Sequence, residues 1–147
     1  MTLRSATLDD AKLLLAWRNE PAVVAMSMSG KPVTEEEHER WLADSLAMTS
    51  RHLYIAELDG AATPVGMGVL NGTRPDCAAL GYSVAKGYRG QGYGGLIISD
   101  LCMNAYTLGY RQMLAEVHYQ NTASLLALQR MGFAVTQPFL TLTKELP

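Results

Sequence analysis

The chain has 147 residues, 48% hydrophobic and 18% charged, with 12 Lys plus Arg against 14 Asp plus Glu. That length predicts one domain with enough chain to bury a core, and that composition excludes a disordered chain. A net charge of −2 is wrong for a general nucleic-acid binder. No apolar run approaches the ~20 residues of a membrane span.

Met1–Asp10 carries one Arg and two Asp and lacks an apolar segment, so no secretory signal is read there. Cys77 and Cys102 cannot build a disulfide framework, and no CxxC or Cys/His pairing points to zinc. The expectation is a soluble, cytoplasmic protein without a metal.

Thr2–Ala6 predicts a short strand. Thr7, with Asp10 three residues on, opens a first helix, which Pro21 ends shortly after Asn19. Thr34 opens a second helix, with Glu37 in the capping-box position and Glu35 and Glu36 favoured by the helix dipole. The period then shortens to that of strands at His52–Leu58, Val65–Leu70 and Ala78–Val84, separated by turns at Asp59-Gly60 and Pro75-Asp76. Tyr93–Leu108 is helical, with Gly109 as its stop, and Gln112–Val117 is a strand. Asn121 caps a helix to Met131, and Phe133–Val135 and Phe139–Thr143 close the chain as two strands. The order β α α β β β α β α β β predicts an α+β, mixed α/β domain of about seven strands and four helices, its sheet largely antiparallel with one parallel pair.

Five glycines fall within Gly87–Gly95, between a predicted strand and a predicted helix. Glycines there let successive N–H groups turn toward one anion, and the helix start adds its own free N–H groups. The alternative is a plain surface loop. A P-loop fails, because Tyr93 and Gly94 stand where Lys and Ser/Thr are needed. The dinucleotide fingerprint fits Gly90, Gly92 and Gly95, but several strands precede it where the first strand of a long βαβ sheet is required.

Arg89-Gly90-Gln91-Gly92-Tyr93-Gly94 resembles the Arg/Gln-x-x-Gly-x-Gly/Ala loop of the GNAT superfamily of acyl-CoA-dependent N-acyltransferases. Gly81-Tyr82-Ser83-Val84 is similar to that superfamily's fourth strand, and Asn121-Thr122-Ala123-Ser124 and Met131-Gly132-Phe133 to its later signatures. The resemblance covers essentially the whole chain. It implies acetyl-CoA held between two splayed strands. The N–H groups from Arg89 through Gly94 (Arg89, Gly90, Gln91, Gly92, Tyr93 and Gly94) would bind the pyrophosphate. Main-chain groups around Ser83 and Val84 would pair with the pantetheine or polarise the thioester, and Asn121 would reach the pantetheine arm or act only as an N-cap. The Arg89 side chain either touches a phosphate or is a solvated loop charge.

Acetyl transfer needs an unprotonated amine, so a base helps. Glu116 is the candidate, five residues upstream of Asn121, where some GNAT ribosomal-protein acetyltransferases place a catalytic Glu. His118, on the same strand face, is the second choice. Many GNATs supply a Tyr four residues before the Gly of the Gly-Phe pair to protonate the leaving thiolate. Leu128 stands there, which leaves the acid open between none, Tyr119 and Ser124.

The run Trp17-Arg18-Asn19 with His38-x-x-Trp41 resembles the N-acetyltransferases of nucleotide-linked amino sugars in the pseudaminic acid pathway. The resemblance implies an acceptor site of Trp17, Arg18, His38 and Trp41, with Arg18 on a phosphate and an indole on a base or sugar face. The plain alternative is that both Trp fill the core. The expected partner is a small-molecule amine, with no nucleic acid and no membrane, and the oligomeric state is left open, a homodimer included. Acetylation of protein N-terminal or small free amines is the alternative activity, and a non-catalytic acyl-CoA-binding module the alternative class.

Overall fold

The structure is a computed structural model that describes residues 1–136. Five strands form one sheet in the order β1-β2-β3-β4-β5: β1 (Thr2–Ser5), β2 (Arg51–Leu58), β3 (Thr63–Arg74), β4 (Cys77–Val84) and β5 (Gln112–Ala115). Neighbours are antiparallel except β4 and β5, which are parallel, as the crossover through a helix requires. The helices are α1 (Ala11–Arg18), α2 (Pro21–Met26), α3 (Glu35–Ala47), α4 (Tyr93–Thr107) and α5 (Thr122–Arg130). The mixed α/β class stands, with five strands among the described residues and five helices.

Each difference from the expected elements has a local cause. Residues Leu8–Asp10 form a 3₁₀ turn ahead of α1, because the Asp10 carboxylate accepts from Thr7 N at 2.8 Å and from two Arg4 nitrogens at 2.7 and 2.9 Å. That guanidinium holds the Asp10 carboxyl below its usual range. Pro21 does not end structure but begins α2 at its first turn, where the missing N–H costs nothing. The predicted strand Phe133–Val135 is irregular. Gly132, at φ +89°, turns the chain, and Phe133 N donates to Leu128 O at 3.0 Å to close the end of α5. The last predicted strand, Phe139–Thr143, lies outside the described residues. The capping box at Thr34 is formed as read: Glu37 N donates to Thr34 Oγ1 at 3.2 Å and Thr34 N to Glu37 Oε2 at 3.0 Å.

The sheet is packed on both faces. On one, Leu70, Leu80, Ile97, Ile98, Leu101 and Leu128 join α4 and α5 to the strands. Burying one such side chain is worth about 1.5–3 kcal/mol. Gly68 lets α4 approach, since a Cβ there would lie 2.8 Å from Leu101 Cδ2. On the other face Leu14 and Leu42 pack α1 and α3 over Leu53 and Ile55. No helix among the described residues is long and apolar enough to cross a membrane.

Pairing between β4 and β5 runs only from Cys77–Gln112 to Leu80–Ala115. Beyond Leu80, β4 continues through Val84 with a neighbour on its β3 side alone. The predicted strand Gln112–Val117 thus stops at Ala115, where the two strands part. This opening, with the start of α4 beside it, positions the site.

Candidate functional site

Between β4 and α4 the chain makes a 3₁₀ turn, Lys86–Tyr88, and then the glycine loop. Gly90 and Gly92 have φ of +73° and +87°, the left-handed region that side chains strain to enter, and Gly92 caps α4. A Cβ on either would meet nothing within 4 Å, so their role is backbone direction and open space rather than packing. Among the described residues, the N–H groups of Arg89 through Gly95 donate to no protein acceptor. The first turn of α4 adds the positive end of its dipole. Unused donors at a helix start are the kind of group that an anion such as a pyrophosphate would take. Gly94 has a different reason: its Cβ would lie 3.2 Å from Tyr82 Cε2, so it lets α4 close on β4.

The Arg89 side chain is committed elsewhere. Its Nη1 and Nη2 donate to the two Glu20 carboxylate oxygens at 2.7 and 2.8 Å, and its Nε donates to Val84 O at 2.9 Å. The guanidinium therefore braces the loop, and the Val84 carbonyl is already used.

Trp17, Arg18, His38 and Trp41 come together with Ser83 around one cavity of about 370 Å³. Leu14, Val23, Val33 and Met67 complete its apolar wall. α1 brings Trp17 and Arg18 on adjacent positions, and α3 brings His38 and Trp41 three apart, on one helical side. The rings of His38 and Trp41 lie 5.3 Å apart. His38 is 5% exposed, and its Nδ1 has no partner among the described residues; Arg18 Nη1 is likewise buried and unpaired. Arg18 Nη2 reaches Ser29 Oγ and Lys31 O only at 3.4 Å. Burial first, and the Arg18 charge second, hold the His38 imidazole below its usual pKa, against a pull from Glu39. The cavity thus offers apolar walls, two aromatic faces and two unmet polar nitrogens, with Glu37, whose Oε2 accepts from Thr34 N, as its acidic lining residue.

Glu116 and His118 follow the end of β5 and do not line the cavity. Met113, Ala115 and Val117 pack on the α4 side, and Glu116 stands between the last two, just past the end of β5. Glu116 is exposed and His118 half-buried. His118 stacks on Tyr119 at 4.9 Å, and its Nδ1 accepts from Gln120 N at 3.3 Å. Asn121 caps α5, its Oδ1 accepting from Ser124 N at 3.1 Å. Leu128 is 4% exposed in the core. Of the two hydroxyls left open, Tyr119 is 72% exposed, while Ser124 Oγ accepts from Tyr82 OH at 3.1 Å. Burial pushes the Tyr82 phenol up, so it stays a neutral donor.

Two residues of this region carry no role of their own in the sequence, although Asn19 ends the Trp17-Arg18-Asn19 run. Asn19 holds Val33 by both main-chain groups, each at 2.8 Å, and so folds the segment after α2 across the cavity. Glu20 is the partner of Arg89 across 69 positions. Their adjacency to Trp17-Arg18 was the only signal; a long-range pair leaves no periodicity to find.

The model of the GNAT acetyltransferase domain matches residues 1–134. No curated protein matches the chain by sequence. Among solved structures, a domain from Methanocaldococcus jannaschii DSM 2661 is 24% identical with a TM-score of 0.83, over 92% of this chain and 89% of that one. Ribosomal-protein-alanine N-acetyltransferase from Brucella melitensis is 24% identical with a TM-score of 0.74, over 95% and 92%. Spermidine N-acetyltransferase from Vibrio cholerae, in complex with CoA and spermine, is 17% identical with a TM-score of 0.81, over 90% and 80%. At these identities the structures share the fold, and it is the family match that carries the assignment. A parted pair of parallel strands beside a glycine cradle, matched from residue 1 to 134, makes this chain a member of the GNAT acetyltransferase family.

Proposed function

We propose that the chain transfers the acetyl group of acetyl-CoA to a primary amine by direct transfer in a ternary complex, with a nucleotide-linked amino sugar as the favoured acceptor. The observation that carries the acceptor is the cavity: two indoles, the unpaired Arg18 Nη1 and the unpaired His38 Nδ1, opening beside Ser83. An indole suits a base or sugar face, and a guanidinium suits a phosphate. A protein N-terminal amine is the second reading, favoured by the full-length likeness to the Brucella melitensis alanine N-acetyltransferase. The free thiols Cys77 and Cys102 fit a reducing cytoplasm.

Acetyl-CoA supplies a thioester open to attack by the amine and a thiol leaving group that needs little help. The N–H groups from Arg89 through Gly94 hold the pyrophosphate, and the open edge of β4 at Ser83 aligns the pantetheine. Asn121, whose cap uses only Oδ1, keeps its amide donor for that arm. Glu116, just past the end of β5, takes the proton from the acceptor ammonium, with His118 as the alternative base. Neutral Tyr82 and Ser124, bonded to each other, are the hydroxyls on hand for the departing thiolate.

Turnover of acetyl-CoA over a panel of nucleotide-linked amino sugars, free amino sugars, polyamines and peptide N-termini tests the acceptor. Glu116→Gln tests the base. It is expected to keep fold and CoA affinity and to lower turnover by ~10²-fold, the scale for a positioned acid–base group. The loss should shrink as pH rises and free amine accumulates. Wild-type turnover from pH 6 to 9 moves the assignment to His118→Ala.

A further inference from the structure

The glycine loop and the acceptor cavity lie on different elements, and one side-chain contact joins them. Arg89 stands at the first residue of the loop, Glu20 at the junction of α1 and α2. The contact is bidentate, at 2.7 and 2.8 Å, and the Glu20 side chain is only 16% exposed. A forked, shielded pair of this kind fixes orientation as well as distance.

Both ends are tied onward. At the loop end, Arg89 Nε also donates to Val84 O, so the guanidinium is locked to β4. At the other end the Glu20 carbonyl accepts from Val23 N and Val24 N, each at 2.9 Å, and so starts α2. Val23 lines the cavity; Arg18, two residues before Glu20, lines it also. Asn19, next to Glu20, holds Val33, a third cavity residue. Displacing Glu20 therefore moves the wall of the cavity, and displacing Arg89 moves the start of the pyrophosphate cradle.

We propose that Glu20–Arg89 is a positioning pair through which occupation of the glycine loop by CoA orders the acceptor cavity. The proposal rests on the reading of the loop as the pyrophosphate site. Ordering the loop fixes Arg89, Arg89 fixes Glu20, and the segment from Trp17 to Val33 is then held for the acceptor. A second ligand that meets an already ordered site binds more tightly. By linkage, the acceptor tightens CoA binding by the same factor. Glu20 and Arg89 touch neither reacting atom, so their effect falls on acceptor KM more than on kcat.

The chain supplies its own reporter. Its two Trp, Trp17 and Trp41, both line the cavity. Wild type, Glu20→Gln and Arg89→Lys are titrated with CoA, following heat by calorimetry and tryptophan emission in parallel. Glu20→Gln removes the charge, and Arg89→Lys keeps charge but loses the fork, so one remains informative if the other folds poorly. Wild type is expected to bind CoA with a change in emission. Glu20→Gln is expected to bind CoA within about fivefold of wild type, the low end of such couplings, while the emission change is lost; Arg89→Lys, whose N–H belongs to the cradle, is expected to lose the emission change at saturating CoA whatever its affinity. Amide hydrogen exchange without ligand gives an independent readout: faster exchange over 19–33 in both variants. A full emission change in the variants, or CoA binding to wild type with a silent signal, overturns the proposal. Absence of CoA binding to wild type refutes the reading of the loop itself, and the coupling with it.

Discussion

The two halves of the site are built by opposite means. The proposed cofactor end is main chain: glycines at positive φ, free N–H groups and an open strand edge, with the Arg89 side chain spent on Glu20. The proposed acceptor end is side chain: two indoles, a guanidinium and an imidazole gathered from two helices around a largely apolar cavity. A main-chain site depends on conformation and tolerates change in neighbouring side chains. A side-chain site depends on packing several elements at once, and single substitutions there retune specificity.

The largest effect that sharpens this contrast is at Arg18. Arg18→Gln should raise the acceptor KM about tenfold or more, the scale of a hydrogen bond to a charged group, and leave CoA affinity unchanged. Steady-state kinetics with an anionic acceptor, beside a CoA titration, checks both halves. Equal acceptor KM values would remove Arg18 from recognition.

A smaller effect separates two glycines of one loop. Gly94→Ala adds a Cβ 3.2 Å from Tyr82 Cε2. Crowding there outweighs the gain in helix propensity, and stability should fall by about 1 kcal/mol with CoA affinity little changed. Denaturant unfolding measures the first and calorimetry the second. A large loss of CoA affinity at unchanged stability would mean that a side chain at position 94, and not only the N–H there, faces the pyrophosphate.

The smallest effect is a pH slope. His38 is held neutral in the folded chain, below its ordinary value of 6.5, by burial and by Arg18. The unfolded chain therefore binds more protons as pH falls through and below 6.5, and folding loses stability in that direction. The contribution is fully present above that value. The fall in Tm between pH 7 and 5 should be shallower in His38→Gln than in wild type. Identical slopes would mean that His38 protonates freely in the folded chain.

The contrast also explains what could be read from sequence. The loop was legible because positive φ leaves glycines behind, and Gly90 and Gly92 take that conformation. The Thr34–Glu37 capping box was legible because it is local. The four acceptor candidates were found by motif, but their convergence on one cavity comes from packing α1 against α3, which no local period reports. Pro21 marked the end of α1 correctly, and α2 was missed because proline is equally at home after one helix and at the first turn of the next. Phe133 was misread because an apolar residue after Gly132 serves a helix end as readily as a strand. Glu20 went unread because its partner lies 69 residues away.

The central claim is that a conformational cradle of main-chain donors holds the cofactor's pyrophosphate. Calorimetric titration of Gly92→Val with CoA tests it most directly. A branched side chain at φ +87° must strain the cap of α4, yet its Cβ meets no neighbour, so the fold should survive with Tm lowered by several degrees. The account predicts CoA affinity more than about tenfold weaker, because the N–H groups no longer converge. Wild-type affinity in a folded Gly92→Val would contradict it and place the pyrophosphate elsewhere.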